Sequence, residues 1–280
     1  MRTSHTPVPQ VHLPGEVEIP QLGFGVFQIP PPDTAEVVTQ ALNVGYRHID
    51  TAAAYRNEAA VGDAIHAAGL DRDEVFITTK CSNDDHGYDQ AIRACKASLE
   101  RLEVTYVDLY LIHWPVPAHD RYVETWKALI DLQADGLIRA IGVSNFQPAH
   151  LRRIIAETGV TPAVNQVELH PAFQQAGLRR EHAELGIVTE AWSPLAQGRV
   201  LDDPTIGAIA EHHEKTPGQV VIRWHLQLGN VVIPKSVTLE RIEQNFDVFD
   251  FHLTEAEMES IQALDAGLRT GPDPDTFIRP

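Results

Sequence analysis

Four side chains with acid–base chemistry follow short apolar runs in the first half of the chain. They are Asp50 after "YRHI", Tyr55 five residues later, Lys80 at the end of "FITTK", and His113 after "VDLYLI". A free phenol has a pKa of about 10, so it is a poor proton donor at neutral pH. A nearby ammonium group lowers that pKa, and a buried carboxylate keeps the ammonium group charged. We therefore expect Asp50 to hold Lys80 and Lys80 to tune Tyr55. His113, as a neutral hydrogen-bond donor, could fix a carbonyl oxygen against the tyrosine.

Each of these residues also has an ordinary structural interpretation. Asp50 could cap a turn with Thr51. Lys80 alone could be a solvated lysine, and His113 alone could be a hydrogen-bonded core histidine. Capping does not require an anion, a cation and an imidazole after three consecutive strands. We therefore favour a proton relay for the group as a whole.

Later apolar runs are also followed by polar or aromatic side chains. They are Ser144 and Asn145 in "GVSNF", Gln166 and Glu168 in "NQVELHP", and Trp192 and Ser193 in "EAWSPLAQG". Amide and hydroxyl groups could pair with a carboxamide, and a flat indole face could cover a planar ring. A proton donor for a carbonyl needs a hydride source, so these residues are candidates for holding one.

The segment "IPKSVTLERIEQN" brings cations to the expected start of a helix. Lys235 and Arg241 lie there, where backbone N–H groups and the helix dipole favour phosphate. In a chain of net charge −17, such a local cationic pair is what an anionic ligand requires. Arg241 could equally pair with Glu240 or Glu243 on its own helix.

Eight short β-type runs alternate with stretches of helical periodicity. The runs are 22–25, 46–49, 75–78, 107–112, 138–143, 163–167, 186–191 and 231–233, and the helical stretches are 34–44, 57–68, 88–101, 122–135, 148–157, 176–185, 204–213, 217–228 and 239–246. Asp33 with Glu36, and Thr254 with Glu257 before a last helix, are start signals. The alternation predicts an α/β chain folded as a (β/α)8 (TIM) barrel, whose C-terminal strand ends meet at one mouth. A doubly wound open sheet is the alternative, but its Gly-x-Gly-x-x-Gly fingerprint is missing.

The segments outside the repeats have simpler interpretations. "QVHLPGEVEIPQ" predicts a β-hairpin, turning at Pro14-Gly15, that closes the bottom of the barrel. The tail "GLRTGPDPDTFIRP" is rich in Gly and Pro and predicts an irregular surface segment. A length of 280 residues suits a single domain over residues 1–280.

Composition excludes several classes of function. The charge of −17 disfavours nucleic acid and anionic membranes as partners. Cys81 and Cys95 are too few for a secreted disulfide framework, so we expect a reducing cytoplasm. We expect no signal peptide and no membrane-spanning run, and therefore we expect a soluble protein. The chain has 14 histidines, but only His212-His213 are adjacent, so no metal site is expected.

The motifs together resemble the aldo-keto reductase superfamily, from "IPQLGFGVF" to about residue 265. They are "GYRHIDTAAAYRNE", "FITTK", "VDLYLIHWP", "IGVSNF", "PAVNQVELHP", "SPLAQG" and "VVIPKSVTLERIEQNFDVFDFHLT". The "AWSPLAQG" segment and the short C-terminal region are similar to the bacterial branch of 2,5-diketo-D-gluconate reductases. The resemblance implies a (β/α)8 barrel that binds NADPH across its C-terminal mouth without a Rossmann domain.

The resemblance also assigns roles to residues of this sequence. It implies the catalytic tetrad Asp50, Tyr55, Lys80 and His113, with Tyr55 as the general acid. It implies a nicotinamide site of Ser144, Asn145 and Gln166 with Trp192 stacked on the ring, and a pyrophosphate loop of Ser193, Leu195, Gln197 and Gly198. It implies a 2'-phosphate grip of Lys235, Ser236 and Arg241 beside Val237, adenine contacts from Gln244 and Asn245, and substrate contacts from Phe27 and Trp114.

Two positions depart from the family pattern. Arg56 stands where glycine is usual, and Ser82, within "KCSN", stands where an aromatic residue often lines the pocket. Ser82 could admit a bulkier or more polar substrate. Cys81, near the mouth, is either an oxidation-sensitive thiol or a buried small hydrophobe, and we favour the second.

The sequence therefore predicts an NADPH-dependent reductase of a small carbonyl substrate, acting as a cytoplasmic monomer. Diketo sugar acids, methylglyoxal-like dicarbonyls and aromatic aldehydes all remain open as substrates. A cofactor-binding regulatory subunit without turnover is one alternative. A sugar-phosphate isomerase on the same barrel is another, because the fold hosts many chemistries.

Overall fold

The computed structural model describes residues 7–278. Its strands are β1 (Gln10–Leu13), β2 (Val17–Pro20), β3 (Phe24–Gly25), β4 (His48–Asp50), β5 (Phe76–Cys81), β6 (Val107–Ile112), β7 (Ile138–Ser144), β8 (Val164–Glu168), β9 (Val188–Trp192) and β10 (Val231–Val232). Its α-helices are α1 (Pro31–Val44), α2 (Glu58–Ala67), α3 (Tyr88–Leu102), α4 (Tyr122–Ala134), α5 (Pro148–Thr158), α6 (Ala176–Leu185), α7 (Pro204–His212), α8 (Pro217–Gln227), α9 (Leu239–Phe246) and α10 (Glu255–Gln262). No helix within residues 7–278 is long and apolar enough to cross a membrane.

Eight parallel strands pair in the order β3 to β10, each with its neighbour in the chain. The first and last strands then meet. Leu22 forms a parallel bridge with Val232, and the Gly23 N–H donates to the Val232 carbonyl at 2.9 Å. This contact closes the sheet, so the predicted (β/α)8 barrel is confirmed and the open doubly wound sheet is wrong.

The strands bury both faces because helices cover the outside and side chains fill the inside. On β6, Leu109 and Leu111 belong to the inner cluster, while Tyr110 and Ile112 pack with the outer helices. This alternation follows from the two-residue period of a strand. A charged side chain on the inner face therefore lies in the barrel interior, away from solvent.

The N-terminal hairpin closes the lower end of the interior. β1 and β2 pair antiparallel, and Leu13, Val17 and Ile19 join the inner cluster. The turn passes through Gly15, whose φ of 82° suits a residue without a Cβ. The predicted hairpin is confirmed, so access to the interior is from the C-terminal ends of the strands.

The two predicted helix starts differ in outcome. Thr254 and Glu257 form a capping box at the start of α10, as predicted. Asp33 does not cap α1, which begins two residues earlier at Pro31 and has no side-chain cap. Proline supplies the fixed φ of a first helical turn and lacks the N–H that a cap would satisfy. Asp33 therefore lies inside the first turn, where its charge suits the helix dipole.

Candidate active site

A buried ion pair lies at the upper end of the barrel interior. Asp50 is the last residue of β4, and Lys80 lies near the end of the neighbouring strand β5. The Lys80 Nζ atom lies 2.7 Å from Asp50 Oδ1 and donates to the Thr51 carbonyl at 2.9 Å. Lys80 is fully buried and Asp50 is 2% exposed. The pair is therefore shielded from water and from salt.

Tyr55 and His113 stand above this pair. Tyr55 ends a short 3-10 helix that follows β4, and its hydroxyl lies 3.5 Å from Lys80 Nζ. The ring of His113, one residue after β6, lies edge-on to the Tyr55 ring with centroids 5.6 Å apart. The four residues singled out in the sequence thus occupy one cluster in the order carboxylate, ammonium, phenol, imidazole.

Burial decides the protonation of this cluster. Burial raises the pKa of Tyr55, and the ammonium group of Lys80 lowers it by less, so the pKa lies above its ordinary value. Lys80 therefore acts on the phenol in the expected direction, but burial has the larger effect. Burial alone would lower the pKa of Lys80, but Asp50 and other neighbours outweigh it and the pKa is raised. Burial, followed by Lys80, lowers the pKa of His113 well below its ordinary value, so the imidazole is neutral.

Gln166 joins the ion pair to a second carboxylate. Its amide nitrogen donates to Asp50 Oδ2 at 2.7 Å and to Glu190 Oε2 at 2.9 Å. Both amide hydrogens are then used, and the amide oxygen remains to receive a donor from a ligand. Glu190 was not among the predicted site residues. The available signal was a charged residue inside the apolar run "GIVTEA".

Asn145 ties three strand ends together. Its side-chain oxygen accepts from Trp192 Nε1 at 2.9 Å, and its amide nitrogen donates to the His113 carbonyl at 3.0 Å and to Ser144 Oγ at 3.0 Å. Its φ of 64° is left-handed, which asparagine tolerates better than most residues. The nicotinamide contacts expected from Ser144, Asn145, Gln166 and Trp192 stay a prediction, but all four side chains border the same mouth.

The loop after β9 carries concentrated backbone strain. Ser193, Ala196 and Gln197 all have positive φ, at 48°, 49° and 57°. Non-glycine residues in this region cost about 1–3 kcal/mol each and cluster at ligand sites. The loop also lies close to α9, because both border Gly218 at the start of α8. A Cβ at Gly218 would lie 4.0 Å from the Leu195 side chain and 3.7 Å from the Asn245 side-chain oxygen. Leu195 and Asn245, assigned to different parts of a cofactor, are thus close neighbours.

Unpaired cations lie beside the start of α9. Lys235 and Arg241 are exposed, and neither has an ion-pair partner within residues 7–278. The pairing of Arg241 with Glu240 or Glu243 is not found there, and Glu240 instead accepts from Gln244 at 3.4 Å. Ser236 and Val237 lie between the two cations in the chain, with Val237 53% exposed. An anion here would meet positive charge that nothing in the described residues neutralises.

Aromatic side chains and the C-terminal tail line the mouth. Phe27 is 54% exposed, with its ring 5.0 Å from that of Tyr55. Trp114 packs against Phe277 of the tail at 4.4 Å. The Glu168 carboxylate, at the end of β8, accepts from the Thr270 N–H at 2.5 Å and the Gly271 N–H at 3.0 Å. The tail is irregular as predicted, but hydrogen bonds to Glu168 hold it against the mouth of the barrel.

The structure shows the backbone conformation or burial of the positions that depart from the family pattern. Arg56 has a φ of 59°, a left-handed conformation that explains why glycine suits this position. Ser82 is half-buried beside the mouth. Cys81 is fully buried, and burial raises the pKa of its thiol well above the ordinary value. These facts favour a buried small hydrophobe over a reactive thiol at Cys81.

The adjacent histidines lie far from this cluster in the chain and have another partner. Glu257 Oε1 lies 2.9 Å from His212 Nδ1 and 3.0 Å from His213 Nε2. These side chains are of the types that bind zinc, but their contacts join α7 to the capping box of α10. The sequence separates Glu257 from the histidines by more than forty residues, so the trio could not be predicted.

A phenol beside a buried ammonium–carboxylate pair thus lies at the mouth of a (β/α)8 barrel. The chain belongs to the aldo/keto reductase family, which it matches over residues 21–266, and it is therefore an oxidoreductase. It is 58% identical over 269 residues to an aldo-keto reductase of Mycolicibacterium smegmatis, with 96% of this chain and 98% of that protein covered.

Other similar proteins carry more specific names. The methylglyoxal reductase DkgA of Escherichia coli is 55% identical over 261 residues, covering 92% of this chain and 94% of that protein. The crystal structure of the Gox0644 D53A mutant in complex with NADPH superposes with a TM-score of 0.93 at 50% identity, covering 97% of this chain and 99% of that one. The aldo/keto reductase of Brucella melitensis superposes with a TM-score of 0.92 at 51% identity, covering 94% and 100%.

Proposed function

We propose that this protein reduces small aldehydes and ketones to alcohols with NADPH, with Tyr55 as the general acid. The observation that carries the proposal is the position of Lys80, 2.7 Å from Asp50 and 3.5 Å from the Tyr55 hydroxyl. When bound, NADPH supplies the hydride that the carbonyl carbon receives. The residues of the chain supply the proton and the orientation.

Tyr55 holds its proton at neutral pH and can donate it to the carbonyl oxygen as negative charge develops there. His113 is neutral and can donate a second hydrogen bond to the same oxygen. Lys80 stabilises the phenolate that remains, and Asp50 keeps Lys80 charged and in place. Together these residues supply the proton that completes the alcohol once the carbonyl carbon has received hydride, and they leave a phenolate that solvent can protonate again.

The cationic surface supports NADPH over NADH as the cofactor. Lys235 and Arg241 are exposed and unpaired within residues 7–278, and they flank the N-terminal end of α9, where the helix dipole adds positive charge. A 2'-phosphate would supply the negative charge that this surface lacks. The amide oxygen of Gln166 can accept from a carboxamide. The NADPH complex of Gox0644, at 50% identity, also supports this choice.

The phosphate role is tested by comparing two arginine variants. We expect Arg241→Ala to weaken NADPH binding by about tenfold or more, since a charged hydrogen bond contributes about 1.5–3 kcal/mol, and to change NADH binding little. Arg93→Ala, on α3, removes another exposed guanidinium group and is the control. Equal losses for both nucleotides in Arg241→Ala would argue against the 2'-phosphate role.

The acid role is tested with two tyrosine variants. Tyr55→Phe should reduce turnover by about 10²–10⁴-fold while NADPH fluorescence titration gives near wild-type affinity. Tyr106→Phe, which removes a phenol just before β6 at the opposite end of the barrel, is the control. Unchanged turnover in Tyr55→Phe would refute the assignment.

The substrate class is the finer part of the proposal. Phe27, Trp114 and Phe277 give the mouth an aromatic lining, and Ser82 leaves room beside it. The similarity to a methylglyoxal reductase favours small dicarbonyls first, with keto sugar acids and aromatic aldehydes as further candidates. A panel of these compounds, followed by loss of NADPH absorbance, ranks them. Tight NADPH binding with no turnover across the panel would favour the regulatory-subunit alternative.

A further inference from the structure

Glu190 is a buried carboxyl group that the mechanism above does not use. It lies on β9 and is fully buried. Its Oε2 atom accepts from the Gln166 amide at 2.9 Å, while its Oε1 atom has no hydrogen-bond partner within residues 7–278. An ionised carboxylate in such a place would have a large desolvation cost that a single hydrogen bond offsets only in part.

Glu190 is connected to the phenol through direct contacts. One Gln166 amide group bridges Glu190 and Asp50, at 2.9 and 2.7 Å. Asp50 uses its other oxygen for Lys80, and Lys80 reaches the Tyr55 hydroxyl. A change of charge at Glu190 therefore acts on Tyr55 through a dry interior, where electrostatic interactions are strong.

The groups that face Glu190 cannot neutralise a second negative charge. His48 on β4 lies 3.6 Å from Glu190 Oε1, but burial lowers the pKa of His48 to about 3, so it is neutral. Asp50 on β4 is a like charge, Gln166 on β8 is neutral, and Lys80 on β5 is already paired with Asp50. Burial, with the charge of Asp50, raises the pKa of Glu190 to about 8.

We propose that Glu190 is a positioning residue that carries a proton at neutral pH, and that its deprotonation in mildly alkaline solution weakens Tyr55 as an acid. This inference rests on the proposed reductase function. While Glu190 is protonated, the only charges among the described residues in this part of the interior are the Lys80 ammonium group and the Asp50 carboxylate. When the proton leaves, the added negative charge opposes formation of the phenolate, and transfer of the Tyr55 proton to the carbonyl oxygen becomes slower.

The test compares kcat for reduction between pH 7 and pH 9 in wild type and in Glu190→Gln. Glutamine keeps the shape and can still accept from Gln166, but it cannot ionise. Tyr55 stays protonated over this range in both proteins, so its acid strength decides the rate. We expect a fall of roughly threefold to tenfold in wild type, corresponding to at most about one pKa unit at Tyr55, and a smaller fall in Glu190→Gln. Parallel profiles would overturn the proposal.

Glu58→Gln is the matched control. Glu58 is a buried carboxylate on α2 that pairs with Arg101 at 2.7 Å and accepts from Thr79. Among residues 7–278, no hydrogen bond or ion pair joins Glu58 to Gln166, Asp50 or Glu190. Its loss should lower stability without altering the alkaline fall. If the profile changed equally in both variants, a general effect of removing a buried acid would explain it, and the specific role of Glu190 would be refuted.

A second measurement needs neither substrate nor cofactor. Infrared spectroscopy should show the carbonyl stretch of a protonated carboxyl group in wild type at pH 7, lost on titration to pH 9 and missing in Glu190→Gln. Glu190→Met serves the same comparison if the glutamine variant does not fold. A wild-type spectrum without this titrating band would overturn the proposal. Absence of turnover in wild type would instead count against the reductase function and leave the band as the test of Glu190.

Discussion

Replacing Lys80 by methionine removes the ammonium group that separates Asp50 from Tyr55 while keeping a side chain of similar length. Asp50 would then retain the Gln166 amide at 2.7 Å as its remaining partner, in a site where the carboxylate is 2% exposed. Breaking a buried ion pair from one side costs about 3–5 kcal/mol, because the other charge stays buried and unpaired. Asp50→Asn should cost a similar amount, since it leaves the Lys80 ammonium group with the Thr51 carbonyl and Tyr55.

The double variant distinguishes a coupled pair from two independent losses. Asp50→Asn with Lys80→Met leaves no isolated charge from the pair, so it should be less destabilised than the sum of the two single variants. We expect a coupling free energy of about 2–3 kcal/mol. Urea unfolding followed by tryptophan fluorescence measures it if the three curves have equal slopes. Additivity within about 0.5 kcal/mol would refute the view that the two charges stabilise each other.

The same variants separate stability from chemistry. Lys80 lowers the pKa of Tyr55 against the larger effect of burial. Removing Lys80 therefore raises that pKa further, and Lys80→Met should lose reductase activity even in the fully folded fraction, by about 10²–10⁴-fold. Activity near wild type in the folded fraction would show that the phenol does not need the ammonium group.

Three further predictions concern the frame of the site. Glu168→Gln should loosen the tail, because the Thr270 and Gly271 N–H groups donate to the carboxylate; faster hydrogen exchange over 269–278 and a higher KM at similar kcat would show it, and unchanged exchange would contradict it. Gly62→Ala should destabilise by about 1–3 kcal/mol, since a Cβ there would lie 2.5 Å from the Leu102 carbonyl oxygen, whereas Gly207→Ala, with nothing within 4 Å, should be neutral or stabilising by up to about 1 kcal/mol. Burial would raise the pKa of Glu257, but the histidines and Thr254 outweigh it and lower the value to about 2. Its stabilising contribution is then complete above its ordinary pKa of about 4.5 and is lost as the pH falls towards 2. Hydrogen exchange in α10 should therefore rise across that window in wild type and not in Glu257→Gln.

The grouping of Asp50, Lys80 and His113 was predictable because barrel topology brings the C-terminal ends of successive strands together. A residue's position at the end of a strand is enough to predict that its side chain lies at the mouth, even when the packing is unknown. Tyr55 was placed by its distance of five residues from Asp50. The same reasoning placed Gln166 and Trp192 at the mouth.

Other parts of the site depended on information that the sequence lacks. Glu190 lies inside a strand, and whether it faces the interior or the helices depends on the register of the whole barrel. The tail is held by a hydrogen bond from Thr270 to Glu168, which lie 102 residues apart in the chain. Contacts of this kind follow from the path of an irregular segment, which no periodicity describes. The trio of His212, His213 and Glu257 was missed for the same reason.

The sign of the pKa shift at Tyr55 shows why residue types alone did not settle the chemistry. The sequence identified the cation that stabilises a phenolate, but the depth of burial determines how far the neutral phenol is favoured first. In the structure burial is the larger effect, so Tyr55 keeps its proton and is suited to donate it. Lys80 then limits how weak an acid the buried phenol becomes, and the proton on Glu190 prevents a second carboxylate from opposing Lys80. The direction of proton transfer therefore follows from the balance of charges in a closed interior, which only the folded barrel establishes.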